Sequence, residues 1–171
     1  LAVLQQAVAA LPTGSVHLHI HGPSQGVQNP GWSFHGAYIR SDLKQLMQNI
    51  DVVALPSLWD ENQPMVALEA RAFGKALIVS DAGGLPELVK DGVDGWIFPA
   101  GNPEDWAQGI AILSADRSKT RQAGLSSQLP DSAEAMSSAY LYAYRRALNK
   151  ETFSPALTAG SPVEDNVPSR P

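Results

Sequence analysis

Short apolar runs set between helical segments constrain this chain more than any other feature. Val52-Val53-Ala54-Leu55 stops at Pro56, and residues 76–80 stop at the glycine loop of residues 81–86. Both are too short for helices and too continuously apolar for half-exposed strands, so they read as buried strands. Residues 15–21 alternate, with Val16, Leu18 and Ile20 on one face and His17, His19 and His21 on the other. Short strands are also expected near residues 32–35 and 96–98. Helical segments separate them: alanine-rich residues 1–11, closed by Pro12-Thr13-Gly14, and a segment capped by Ser41 that carries Leu43, Leu46, Met47 and Ile50. A third helix runs from Pro64 to Gly74. Asn102 caps another, with Pro103 at its first position and Glu104 and Asp105 in its first turn. Asp131 and Glu134 have capping-box spacing for a last helix reaching about Asn149. The alternation predicts an α/β fold, a mostly parallel sheet with helices on both faces. Ligands in such folds sit beyond the carboxyl ends of the strands, which directs attention to loops 22–31, 36–41, 56–64 and 81–86.

The 171 residues suffice for one domain with a buried core, expected over residues 1–150. From Glu151 onward the chain is rich in Pro, Ser and small residues and reads as a disordered tail. A net charge of −5 argues against nucleic acid as a partner, because phosphate backbones need clustered Lys and Arg. There is no cysteine, so neither a disulfide scaffold nor a thiolate metal site can form. No apolar run approaches the ~18 residues of a membrane span. The chain opens on Leu1 in what reads as mid-helix, without a signal-peptide pattern, so it is expected to be a piece of a longer protein. The expected location is the cytoplasm, with the inner membrane surface open to the longer protein.

Glu69 is the residue that asks for a function. On the helix from Pro64 to Gly74 it lies three and four residues from Val66 and Met65 behind it and from Ala72 and Phe73 ahead. No basic residue stands at those spacings to pair with it. A buried carboxylate without a partner costs several kcal/mol, so Glu69 should line a cavity and accept hydrogen bonds. Glu61 precedes the same helix by one short loop. Both carboxylates thus gather near a helix N-terminus, whose free N–H groups and positive dipole end suit a phosphate. The alternative is that Glu61 is a solvated loop residue and Glu69 bonds a neighbouring backbone group.

Pro56-Ser57-Leu58-Trp59-Asp60-Glu61-Asn62-Gln63-Pro64-Met65-Val66-Ala67-Leu68-Glu69-Ala70 resembles the E-x7-E signature of the family 4 retaining glycosyltransferases. Asp51 to Ser57 is similar to the strand that leads into that signature. Ser80 to Glu87, Asp91 to Trp96 and Asn102 to Asp105 resemble the segments that follow it, in the same order. The resemblance implies the Rossmann-like, donor-binding half of a GT-B enzyme, lacking its first strand. It implies transfer of a hexosyl group from a nucleotide-activated sugar to a glycan, lipid or small acceptor, with no cofactor. Glu69 would hold the ribose hydroxyls. Glu61, the residue placed at the reaction centre, would bind hydroxyls of the sugar without acting as a covalent nucleophile. The backbone at Asn62, Gln63, Met65 and Val66 would approach sugar and phosphates. Tyr38, Ile39 and Arg40 would line the base, and Gly22 would close the strand beside it.

The same resemblance implies an Arg and a Lys on the diphosphate, supplied upstream of Leu1, and an acceptor-binding half as partner. This polypeptide alone is therefore expected to transfer little sugar. A non-catalytic nucleotide-sugar-binding module is the first rival, and a phosphorylase or epimerase on the same scaffold the second. No pyridoxal-bearing lysine is marked, and no G-x-G-x-x-G joins a strand to a helix as a dinucleotide oxidoreductase would need. His17, His19 and His21 offer an H-x-H metal arrangement, but alternate strand residues share a face whatever their role, and no metal is assigned. Gly83 and Gly84 serve either a close ligand approach or a plain turn. Trp59 is expected to be a packed loop anchor. Tyr140, Leu141 and Tyr144 are expected in the core or against the missing half.

Overall fold

A computed structural model describes residues 1–22, 29–127 and 132–148. The expected tail, Asp131, Asn149 and most of loop 22–31 lie outside the described residues. The elements in chain order are α1 (Ala2–Ala9), β1 (Leu18–His21), β2 (Trp32–Gly36), α2 (Leu43–Gln48), β3 (Val52–Leu55), α3 (Met65–Ala72), β4 (Ala76–Ser80), β5 (Gly95–Phe98), α4 (Pro103–Ala115), α5 (Arg117–Ser126) and α6 (Ala133–Leu148). Residues 1–130 form one compact unit, and α6 falls in a second. None of the described helices is long and apolar enough to cross a membrane.

Every strand pairing is parallel, but the expected single sheet appears as two, ordered β1-β2 and β3-β4-β5. β4 is paired on both sides and all five of its residues are buried. β3 is just as apolar yet only half-buried along its length, because no described strand pairs its other edge. Side chains alternate across the sheet with the strand period. Leu77 and Val79, with Val53 and Leu55 beside them, pack against Leu43 and Met47 of α2 and Ala67 and Ala70 of α3. Ile78, with Val52, Ala54 and Leu18, packs against Val3, Leu4 and Ala7 of α1 and Trp106 and Ile110 of α4. Trp106 is wholly buried and its ring N–H donates to the Pro99 carbonyl at 3.0 Å. Strands β1 and β3 therefore contribute to one core layer although they do not pair.

Helix ends follow local chemistry. The Asn102 side chain accepts from the amides of Glu104 and Asp105, as expected. Ser41 does not cap: a 3-10 turn over Arg40–Asp42 leads into α2, and the Ser41 hydroxyl turns to Asp42. At α6 the Ser132 hydroxyl accepts from the Ala135 amide, and none of the helix's residues is buried, so its tyrosine stripe is not core among the described residues. β1 is shorter than its alternation, because Ser15 folds back onto the Pro12 carbonyl through both amide and hydroxyl. Helix α5 has no apolar stripe to announce it. Asp116 caps it, and it packs through Gly124, where a Cβ would run into the Gly74 carbonyl.

The turn leading into β5 is tied to α3 by a largely buried ion pair. Arg71 reaches Asp94 at 3.0 Å, and Asp94 also accepts the Lys90 amide at 2.7 Å. Removing one partner of such a pair strands the other, at a cost of about 3 kcal/mol. Asp94→Ala should lower the unfolding free energy by that order in a urea titration. Asp51→Ala, which breaks the exposed pair to Arg117, should barely move the midpoint. Equal shifts for the two variants would contradict this assignment.

Candidate functional site

Parallel strands bring the loops after β1, β2, β3 and β4 to one end of the fold. Residues 56–64, described in full, are strapped down from below. Ser80, the wholly buried last residue of β4, donates its hydroxyl to the Ser57 carbonyl at 2.7 Å. Ser57, also buried, donates its own hydroxyl to Glu61 Oε1 at 2.8 Å. The Gly84 amide donates to the Glu61 carbonyl at 2.7 Å. Side chain and backbone of Glu61 are thus both held by residues that follow β3 and β4.

The two glycines now have a specific reason. A Cβ on Gly83 would lie 2.7 Å from Asp60 Cα and from the Glu61 amide nitrogen and carbonyl oxygen, and Gly83 takes a φ of 55°. A Cβ on Gly84 would lie 2.8 Å from the Asn62 carbonyl oxygen. Neither a ligand nor a plain turn explains the pair as directly. They let one loop backbone lie against the other and fix the carboxylate-bearing loop in place.

Helix α3 begins straight after this loop, with Pro64 in extended conformation at its N-cap and no side-chain cap. Its first amides, at Met65 and Val66, are left for something outside the helix. Glu69 sits among apolar residues at helical spacing, but theirs is not the face that α3 buries. Met65 is 67% exposed and Phe73 39% exposed, and α3 buries Ala67 and Ala70 instead. The face carrying Glu69 therefore looks toward open space, and Glu69 itself is half-buried. Its partner is Tyr38, whose hydroxyl donates to Oε2 at 3.3 Å. Burial pushes the Tyr38 phenol up from its ordinary value, and the neighbouring carboxylate pushes it further. The phenol stays protonated and keeps its proton for Glu69.

The other residues named from sequence are placed as follows. Ile39, Arg40, Asn62 and Gln63 are exposed, Val66 is half-buried, and Gly22 closes β1 with its amide on the Gly36 carbonyl at 2.8 Å. Trp59 is 66% exposed and anchors nothing, contrary to expectation, and Leu58 beside it is as open. Sequence reasoning named Tyr38 but missed its hydroxyl link, and it gave Ser57 and Ser80 no role. His35, also missed, joins His19 and His21 around a cavity of 410 Å³ that Tyr38 borders. No group of three or more His, Cys, Asp or Glu among the described residues could hold a metal ion.

Residues 28–127 match the family model described as glycosyl transferases group 1. The D-inositol 3-phosphate glycosyltransferase of Mycobacterium ulcerans is 32% identical over 136 residues, covering 77% of this chain and 29% of that protein. An N,N'-diacetylbacillosaminyl-diphospho-undecaprenol alpha-1,3-N-acetylgalactosaminyltransferase of Campylobacter jejuni is 40% identical over 77 residues, covering 45% of this chain and 20% of its own. Among solved structures, HepE of Anabaena in complex with UDP and glucose superposes with a TM-score of 0.67 at 25% identity, over 87% of this chain and 44% of that one. The chain spans less than a third of the length of these curated relatives. On the family match and the fold together, this chain belongs to the group 1 glycosyltransferases, with a GT-B-type Rossmann-like architecture.

Proposed function

We propose that this domain binds a nucleotide-activated hexose and, with an acceptor-binding half, transfers the hexosyl group with retention of configuration. The observation that carries the reading is the loop–helix unit of residues 57–69. It sets one strapped carboxylate before an uncapped helix N-terminus and a second carboxylate on the open face of the same helix. The similarity to HepE, whose structure holds UDP and glucose, supports a nucleotide sugar as ligand.

In this reading Glu69 accepts from the ribose hydroxyls, with Tyr38 fixing its orientation. Glu61, turned by Ser57, accepts from hydroxyls of the sugar at the reaction centre. The amides of Met65 and Val66 face the diphosphate, where negative charge grows as the sugar departs and the positive end of α3 stabilises it. The backbone at Asn62 and Gln63 lines the sugar, and Ile39, Arg40 and Gly22 border the base. The donor is a substrate, and the reading needs no cofactor.

We also propose that the domain lacks one strand of its sheet. Among the described residues β1 and β3 each have one unpaired edge and share a core layer, which supports that. A strand between them would be parallel to both, and α1 would be its right-handed crossover to β1. The basic clamp for the diphosphate and the acceptor site would then lie in protein outside this chain.

Titration of the chain with UDP-glucose should show weak binding that Glu69→Gln reduces roughly ten- to hundredfold, the scale of charge-assisted hydrogen bonds. Unchanged binding would remove the basis of the reading. The same sample, given donor and simple acceptors, should form hexosyl product only at background, and fast transfer would refute dependence on a second half. Gly83→Ala pushes on the backbone of Glu61 but not of Glu69. It should weaken UDP-glucose binding more than UDP binding, and equal effects on both ligands would contradict separate roles for the two glutamates.

A further inference from the structure

The paired strands β1 and β2 carry a row of imidazoles on one face. His19 and His21 alternate along β1, His17 stands just before it, and His17 Nε2 is hydrogen-bonded to the Ser33 hydroxyl at 2.9 Å. The register slips between Ile20 and His21: Ile20 pairs with Phe34, but His21 pairs with Gly36. This bulge leaves His35 unpaired in the ladder, and such bulges re-aim side chains. His35 ends up stacked on both neighbours, 5.1 Å from His19 and 4.7 Å from His21 between ring centroids. His19 Nδ1 and His35 Nε2 lie 2.9 Å apart, so one ring donates the only proton that can sit between them.

The row does not end in solvent. The His21 ring meets the Tyr38 ring edge to face at 5.9 Å, and the Tyr38 hydroxyl reaches Glu69. We infer that His21 is a positioning residue, whose ring, packed against both His35 and Tyr38, keeps the Tyr38 hydroxyl on Glu69. Its bearing on ligand binding rests on the reading of Glu69 as a nucleotide ligand; the packing itself does not.

The device works only while the rings are neutral. The groups facing His21 are His19 and His35 in the row, Tyr38 beside it and Asp42 across the cavity, with His17 one step further and Glu69 behind Tyr38. Burial, and then the neighbouring imidazoles, hold His19 and His21 below the ordinary imidazole value of 6.5. The unfolded chain therefore binds more protons than the folded one in the window just below 6.5. Stability is full above that pH and falls as the pH drops through it. Protonation sets like charges at stacking distance, opens the row and removes the support of Tyr38.

The test has a part without ligand and a part with it. Proton NMR of the whole chain from pH 8 to 5 should show the Tyr38 ring signals moving with the titration of His21. His21→Phe keeps a flat ring without the charge and should abolish that movement. UDP-glucose, whose phosphates stay ionised throughout, should bind roughly two- to tenfold more weakly at pH 5.5 than at 7.5, the worth of one hydrogen bond. His21→Phe should bind with the pH 7.5 affinity at both pH values, and His21→Ala should bind weakly at both. Tyr38 signals indifferent to pH, or equal pH dependence in wild type and His21→Phe, would overturn the inference. A Tyr38 response that follows His21 while Glu69→Gln leaves binding intact would instead keep the positioning contact and refute the nucleotide reading.

Discussion

The hydroxyl of Ser80 is the constraint on which the candidate site depends. It lies at the end of a strand with every residue buried, so it cannot exchange with water, and it is committed to the carbonyl of Ser57. Ser57 in turn is committed to the carboxylate of Glu61. From the neighbouring loop, Gly83 and Gly84 bring backbone onto the same residue at a separation that no side chain allows. These contacts make the loop an extension of the sheet. Preorganisation of this kind lets a weakly charged site act on a developing charge without reorganising for it.

Helix α3 completes the arrangement by what it does not bury. It meets the sheet through Ala67 and Ala70, small residues that set its backbone close, and leaves Met65, Phe73 and the face of Glu69 outward. Its position is locked at the far end by Arg71 on Asp94, and at the near end by the strapped loop. Leu58, Trp59, Ile39 and Met65 are all more than half exposed around the site. Together they form an apolar rim, and on the proposed reading that rim is where a second domain would close.

What could be read from sequence was whatever local chemistry determines alone. β3 and β4 start and stop as expected because Pro56 and the glycine loop after Ser80 end runs too short for a helix, and Asn102 caps α4 because its side chain reaches the next turn unaided. Glu69 could be singled out because a carboxylate without a nearby base needs a partner. That the partner is Tyr38, 31 residues earlier, depends on how β2 lies relative to α3, and no spacing rule encodes it. Ser57 and Ser80 escaped for the same reason, being ordinary serines until the parallel register brings them together. Helix α5 escaped because its hold on the domain is an absence of side chain at Gly124. The splitting of the sheet was hidden too, since the apolar pattern of a strand does not say which neighbours it pairs with, and no described strand joins β1 to β3.

The central claim is that ligand binds at the carboxyl end of the strands, on the unit that runs from Ser57 to Glu69. Amide chemical-shift mapping of the labelled chain with UDP-glucose tests it most directly. The expected result is a continuous set of perturbed amides over residues 61–66 and 38–40, with Met65 and Val66 among the largest. The contrary result is a response centred on a second cavity, 470 Å³ lined by Asp51, Lys75, Arg117 and Arg121 among others. Those residues flank the starts of β3 and β4, and a ligand there would place binding at the wrong end of the fold.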